Sequence, residues 1–259
     1  MKIFKGYLIC SDIDGTLTDS TGKVSPANLE AIFNFQARGG LFTLATGRMP
    51  HYIGNFPFTP NAPIICVNGT VIYDHKEDKL LREFPIESHY GDVIDYFDQN
   101  HAHEIKNYEA YGMDDYQLIN DCKVGEIKNK FENTKVYKLL FRFHKSEDAA
   151  RAMAEAISLF GERFHFNRSW PYGLEMHCIN SGKGNGLLLL KSELCRGIHT
   201  TIAVGDYEND ITMLQDADIS YATDNAPNHV KAHAKKSAPS HKDHALAFVI
   251  DELAEKVSK

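Results

Sequence analysis

At 259 residues, with 43% apolar and 24% charged side chains, the chain is long enough to bury a sizeable core in one large domain or two unequal ones. A formal net charge of −7 argues against nucleic acid or an anionic membrane as the main partner, so an anionic ligand would need positive charge concentrated locally. The cysteines (Cys10, Cys66, Cys122, Cys178 and Cys195) are odd in number and lack CxxC spacing, and no leader-like or membrane-length apolar run is visible, which together predict reduced thiols in a cytoplasmic protein.

The first elements alternate between strand and helix. Tyr7-Leu8-Ile9-Cys10 is a short apolar run that breaks into Asp12-Ile13-Asp14-Gly15-Thr16, a pattern expected of a buried strand ending in a loop. Ser25-Pro26 reads as an N-cap followed by proline at the first helical position. The helix it opens would turn Leu29, Ile32, Phe33 and Phe35 inward and stop at Gly39-Gly40. A second strand, Leu41 to Ala45, ends at Thr46-Gly47-Arg48. A third, Pro63 to Val67, ends at Asn68-Gly69, with Val71-Ile72-Tyr73 beyond it. Near-continuous apolar strands separated by helices indicate a parallel sheet covered on both faces, and in such sheets ligands bind beyond the carboxyl ends of the strands. Asp12, Asp14, Thr46 and Arg48 all fall at such ends.

From about Leu80 the pattern changes. An amphipathic helix is predicted over Glu87–Asn100, a strand over His103–Tyr108 and a weaker helix over Gly125–Phe131. Lys135–Phe143 alternates like a half-buried antiparallel strand. Ser146–Phe160 reads as a helix with a capping-box-like start at Ser146, and Arg163–Asn167 and Gly173–Ile179 as two more strands. This is an α+β unit on an antiparallel sheet, inserted at 84–182 between two segments of a core, 1–83 and 183–259, with Phe84-Pro85 and Asn180-Ser181-Gly182 as linkers. The doubly wound pattern then resumes. It comprises a helix over Gly184–Cys195 closed by Gly197, a buried strand over Thr200–Val204 and a short helix over Ile211–Leu214. A strand at Ile219–Ala222 follows, then a helix capped by Asn225-Ala226-Pro227 and a last helix over Asp243–Val257.

The polar residues at these strand ends suit one chemistry. Two carboxylates two positions apart repel each other, which raises at least one pKa, and a divalent cation, best Mg²⁺, relieves the conflict. Asp206, Asn209 and Asp210 follow the strand at Val204, and if that strand lies beside the first, Asp206 would complete a cation site with Asp12 and the carbonyl of Asp14. Lys183, in Ser181-Gly182-Lys183-Gly184, combines an ammonium with the N–H groups of a glycine-flanked helix start, an anion site. Thr46 offers its hydroxyl and its N–H. A cation, a lysine and a threonine around a carboxylate answer the problem of an anion attacking an anionic phosphate ester. Asp12 would be the nucleophile and Asp14 the acid and base.

These residues resemble the motifs of the haloacid dehalogenase superfamily, in its Cof-like group with a C2B-type cap. Asp12-Ile13-Asp14-Gly15-Thr16 is similar to the nucleophile motif and Ala45-Thr46-Gly47-Arg48 to the second. Lys183 matches the third, and Gly205-Asp206-Tyr207-Glu208-Asn209-Asp210 the fourth. Val67-Asn68-Gly69-Thr70 also resembles a strand-end segment of that group. Where the group often has a Gly-Val pair opening its final helix, this chain has His244-Ala245.

The resemblance implies a Rossmann-like α/β core with an inserted cap, and a catalytic pair Asp12 and Asp14. Thr46, Gly47, Arg48, Lys183 and Asn209 would bind phosphate or substrate, and Asp12, Asp14, Asp206 and Asp210 would hold Mg²⁺. The expected activity is hydrolysis of small phosphorylated metabolites, sugar phosphates first and nucleotide or cofactor phosphates next, by a monomer or small homo-oligomer. A phosphosugar mutase and a catalytically weak phosphometabolite-binding protein are the alternatives. His229, His233, His241 and His244 read as solvated histidines rather than a second metal site. Glu175 and His177 read as strand positions at least as readily as substrate contacts, and Trp170 as packing.

Overall fold

A computed structural model describes residues 2–54, 56–87, 90–113, 116–119 and 135–258. The helix expected over Gly125–Phe131 and the residue Cys122 lie outside these. Two compact units are present, one built from 1–82 and 182–259 and the other from 83–181.

The first unit is organised on a five-stranded parallel sheet. Strand β1 (Tyr7–Ser11) is interior, with β2 (Leu41–Leu44) on one side and β11 (Thr200–Gly205), β12 (Ile219–Thr223) and β13 (Lys236–Ala238) on the other. Ser11 is in register with Leu44 on one side and Val204 on the other, so the residues after β1, β2 and β11 emerge at the same edge. The chain leaves β1 toward β2 and returns on the opposite flank at β11, which makes the end of β1 a topological switch point.

Alternation along β1 sends Leu8 and Cys10 into a cluster with Leu187, Leu190, Met213 and Leu214 on one face. The other face is covered by α1 (Pro26–Ala37) and α7 (Ala245–Val257), which pack on each other and are tied by the Ala247 N–H donating to Asn28 Oδ1 at 3.0 Å. Each fully buried aliphatic or aromatic side chain in these clusters contributes roughly 1.5–3 kcal/mol. The cap of α1 is as expected: Ser25 accepts from the Asn28 N–H and Pro26 occupies the first turn, while Gly39 takes φ 93° just past the helix end.

Beyond β2, β3 (Ile64–Cys66) makes one parallel bridge to Ala45 and then pairs antiparallel with β4 (Val71–Asp74), which is followed by β5 (Lys79–Glu83) in a small three-stranded sheet. The helix expected over Gly184–Cys195 is α4 (Lys183–Leu189) continued by a π-helical turn over Leu190–Leu194. Beyond it come α5 (Ile211–Asp216) and the single turn α6 (Asn228–Lys231). Asn225 does not cap α6; its side chain is used elsewhere, as described below.

In the second unit the sheet order is β7 (Tyr116–Ile119), β6 (Ile105–Tyr111), β8 (Lys138–Phe143), β10 (Gly173–Cys178) and β9 (Phe164–Trp170), antiparallel throughout. Period-two alternation puts Leu139, Phe141, Phe143, Leu174 and Met176 on one face. There they pack with Val93, Ile94 and Phe97 of α2 (Gly91–His101) and Ala149, Ala152 and Ala156 of α3 (Ser146–Phe160). Lys145, not Ser146, holds the cap position of α3 and makes no side-chain capping bond.

The fold is therefore α/β, a doubly wound parallel sheet interrupted by an α+β unit. Among the described residues, no helix is long and apolar enough to cross a membrane. Cys10, Cys66, Cys178 and Cys195 are free thiols.

Candidate active site

Four of the expected residues meet at the shared edge of β1 and β11. The Asp12 N–H donates to Val204 O at 2.9 Å, continuing the β1–β11 ladder by one residue and fixing where the Asp12 carboxylate emerges. Lys183, at the first position of α4 and fully buried, donates from Nζ to Asp12 Oδ1 at 2.5 Å and to Asp210 Oδ1 at 2.6 Å. The other oxygen of Asp210 accepts from the N–H groups of Asp206 and Tyr207, at 2.8 and 3.1 Å, which closes the turn after β11. Oxygen atoms of Asp12, Asp206 and Asp210 lie within 4.8 Å of one another.

Among the described residues the ammonium of Lys183 bonds two of these three carboxylates, Asp12 and Asp210, leaving the cluster with more acidic than basic groups. Burial is the main cause that pushes Asp12 well above the usual carboxylate range; Lys183 opposes it, and the neighbouring Asp210 and Asp206 add to it. Asp206 is pushed up to about 7, again chiefly by burial and then by Asp210. Burial alone would lower the Lys183 pKa, but the Asp12 and Asp210 carboxylates outweigh it and hold the ammonium charged. A cluster of hard oxygen donors with excess negative charge is the donor set that a hard divalent cation requires, so these residues fit such an ion.

Asp14 is placed differently. Its carboxylate lies outside the acidic cluster and is held in a two-pronged pair by Arg48, Nε to Oδ2 at 2.9 Å and Nη2 to Oδ1 at 2.5 Å. Thr46 is buried, and its hydroxyl accepts from the Arg48 N–H at 3.2 Å. Gly47 lies between them, partly buried. Among the described residues the side chain of Asn209 bonds away from the acidic cluster: its Nδ2 donates to Asn68 Oδ1 at 3.0 Å, and both residues are buried.

Three further residues touch the site without having been singled out by pattern. Thr16 Oγ1 donates to Asp206 Oδ1 at 2.8 Å. Asn225 Nδ2 donates to Gly15 O at 2.9 Å and reaches Asp206 Oδ2 at 3.3 Å. Gly15 has φ 86°, and a Cβ there would lie 2.5 Å from Asp206 Oδ2, so glycine is required for the close approach of the two loops. Thr16 stands inside the Asp-rich motif and was legible as part of it. Asn225 carried only a helix-cap signal.

Most of the remaining candidates have ordinary partners. His229 pairs with Glu208, His233 with Gln215, and His244 Nδ1 with Ser25 Oγ. His244 sits at φ 62°, the left-handed region that favours glycine, which accounts physically for a glycine being suited to that position. In the second unit, Glu175 accepts from Lys138 Nζ at 3.0 Å and from Ser169 Oγ at 2.6 Å, and Trp170 stacks under the Arg142 guanidinium at 4.9 Å.

Comparison with known proteins covers nearly the whole chain. Residues 9–250 match the family model described as haloacid dehalogenase-like hydrolase. The pyridoxal phosphate phosphatase YbhA of Escherichia coli is 22% identical over 88% of this chain and 91% of its own length. The 5-amino-6-(5-phospho-D-ribitylamino)uracil phosphatase YwtE of Bacillus subtilis is 25% identical over 95% of this chain and 97% of its own. Among solved structures, the subclass IIB sugar phosphatase BT4131 superposes with a TM-score of 0.76 at 17% identity, covering 96% of this chain and 99% of that one.

Proposed function

Since this chain belongs to the haloacid dehalogenase-like hydrolase family and is a phosphatase, we propose that it hydrolyses small phosphorylated metabolites, sugar phosphates before nucleotide or cofactor phosphates, through an aspartyl-phosphate on Asp12 and with Mg²⁺. The observation that carries this reading is the convergence of Asp12, Lys183, Asp206 and Asp210 at one strand edge, three clustered carboxylates of which two are bonded by one buried ammonium. The relatives act, by name, on pyridoxal phosphate, a phosphoribityl compound and sugar phosphates, a range of small phosphate monoesters.

In this mechanism Asp12, Asp206 and Asp210 would hold the cation, with the Asp14 carbonyl as a further donor. Bound there, Mg²⁺ supplies charge stabilisation for the transferring phosphoryl group. The chain's own groups carry the steps. Lys183 engages Asp12 Oδ1, leaving Oδ2 to attack phosphorus, and its charge offsets that of the incoming phosphate. The Thr46 hydroxyl, on the loop it shares with Gly47 and Arg48, would bind a phosphate oxygen, while the Thr46 N–H is committed to Ile65 O at 2.8 Å. As the ester P–O bond breaks, Asp14 gives a proton to the leaving alcohol, and it then takes one from the water that attacks the acyl phosphate, regenerating Asp12 and releasing phosphate. Asp14 must part from Arg48 to do so, and Arg48 is then free to meet the substrate's anionic end. We assign the core role to 1–83 and 183–259 and the choice of substrate to the cap, 84–182.

The test is inorganic phosphate release from a panel of sugar, nucleotide and cofactor phosphates, with Mg²⁺ and with chelator. Metal-dependent release from a few related esters is expected. Interconversion of sugar phosphate isomers without net phosphate release would overturn hydrolysis in favour of a mutase, and no turnover at all would favour a binding protein.

A further inference from the structure

We infer that Asn68 is the positioning residue that locks the loops of this site to one another. Its N–H donates to Thr46 O at 2.9 Å, holding the loop that carries Thr46, Gly47 and Arg48. The preceding N–H, that of Val67, donates to Arg48 O at 3.0 Å and fixes the same loop at a second point. The Asn68 carbonyl accepts from the Gly182 N–H at 2.8 Å, immediately before Lys183. Its side-chain Oδ1 accepts from Asn209 Nδ2 at 3.0 Å, one residue before Asp210. Thus one fully buried residue bonds to each of three segments that are far apart in the sequence.

The backbone is shaped for this task. Asn68 lies at φ 51° and ψ 39°, a left-handed conformation that asparagine tolerates better than most residues. It is flanked by Val67 at φ 49° and Gly69 at φ 90°. Positive φ at the β-branched Val67 is strained, and such strain persists only where the surroundings over-determine it. A Cβ on Gly69 would lie 2.1 Å from Gly182 O, so the Asn68 loop and the segment leading into Lys183 are in direct backbone contact. Asn68 acts through Asn209, which holds the turn of Asp210, and through Gly182, which sets where Lys183 begins its helix.

The inference rests on reading the site as a phosphoryl-transfer centre, and its test separates the two. Asn68→Gly keeps the left-handed backbone and both main-chain bonds while removing the side chain and with it the acceptor for Asn209; Asn209→Ala removes the donor. Each single variant is expected to lower kcat about tenfold with KM changed less than about threefold, and the double variant to be no slower than the slower single one. Amide hydrogen exchange over 182–186 and 206–210 should quicken in the same variants, with melting temperature little changed. Wild-type kcat in folded Asn68→Gly, or effects of the two substitutions that simply multiply, would overturn the inference. If the wild-type protein released no phosphate from any ester, the functional reading would fall, and the exchange measurement alone would decide the role of Asn68: quickened exchange supports it and unchanged exchange overturns it.

Discussion

Removing the buried ammonium is the most demanding perturbation of this site. In Lys183→Met the chain length and much of the packing are kept, but Asp12, Asp206 and Asp210 are left with oxygens within 4.8 Å and no protein cation among them. Lys183 is fully buried, so water cannot replace it, and breaking a buried ion pair of this kind costs about 3–5 kcal/mol. At about 2–4 °C per kcal/mol for a protein of this size, the variant should melt roughly 6–20 °C below wild type in chelator. Millimolar Mg²⁺ should restore a larger part of that loss than it adds to wild type, because the added cation meets an unneutralised cluster. Phosphate release should stay depressed at least about a hundredfold with Mg²⁺ present, since charge offset at the transferring group is then missing. Calorimetry with chelator and with Mg²⁺, together with the phosphate assay, gives both quantities. A melting temperature within about 3 °C of wild type in chelator would mean that the bonds of Lys183 to Asp12 and Asp210 do not stabilise the folded protein, and the account of this site would be wrong.

Asp12→Asn should abolish phosphate release while leaving the circular dichroism spectrum unchanged, and near-normal turnover would exclude an aspartyl-phosphate on Asp12. Arg48→Ala removes both bonds to Asp14, yet the pair is 34% and 60% exposed, so stability should change by less than about 1 kcal/mol while kcat falls roughly 10- to 100-fold; an unaltered kcat would remove Arg48 from the functional set. The second unit should lose stability in acid in two stages, followed by the fluorescence of Trp170, the chain's single tryptophan. Burial, with help from His177, pushes His165 down to about 4 from an ordinary 6.5, so the stability it confers is complete above 6.5 and is lost as pH falls toward 4. Burial raises the Glu175 pKa, but the Lys138 ammonium with His177 and Ser169 outweighs it and holds the carboxyl well below its ordinary 4.5, so its contribution is lost only on further acidification. His165→Gln should flatten the first stage and leave the second; an unchanged profile between pH 6.5 and 4 would refute the assignment.

Much of the fold was legible because its signals are local. The apolar runs Tyr7–Cys10 and Thr200–Val204 read as buried strands, and Ser25-Pro26 as a helix start, because the signals of run length, flanking residues and capping lie within a few residues. The inserted α+β unit announced itself by the alternation of Lys138–Phe143, where one face must be apolar and the other polar. Short polar strands such as β5 and β13 gave no such signal, because a strand of three to five residues with exposed side chains is held by its neighbours rather than by its own pattern. The same division runs through the site. That Asp12, Asp14, Thr46, Lys183, Asp206 and Asp210 stand at the ends of elements follows from the sequence. That Lys183 bridges Asp12 and Asp210, that Arg48 holds Asp14, that Asn225 turns toward Asp206 instead of capping a helix, and that Asn68 bonds to three loops does not. Those pairings join residues from 19 to 171 positions apart, and only the order of strands around β1, which brings several chain segments to one edge, decides which polar groups find each other.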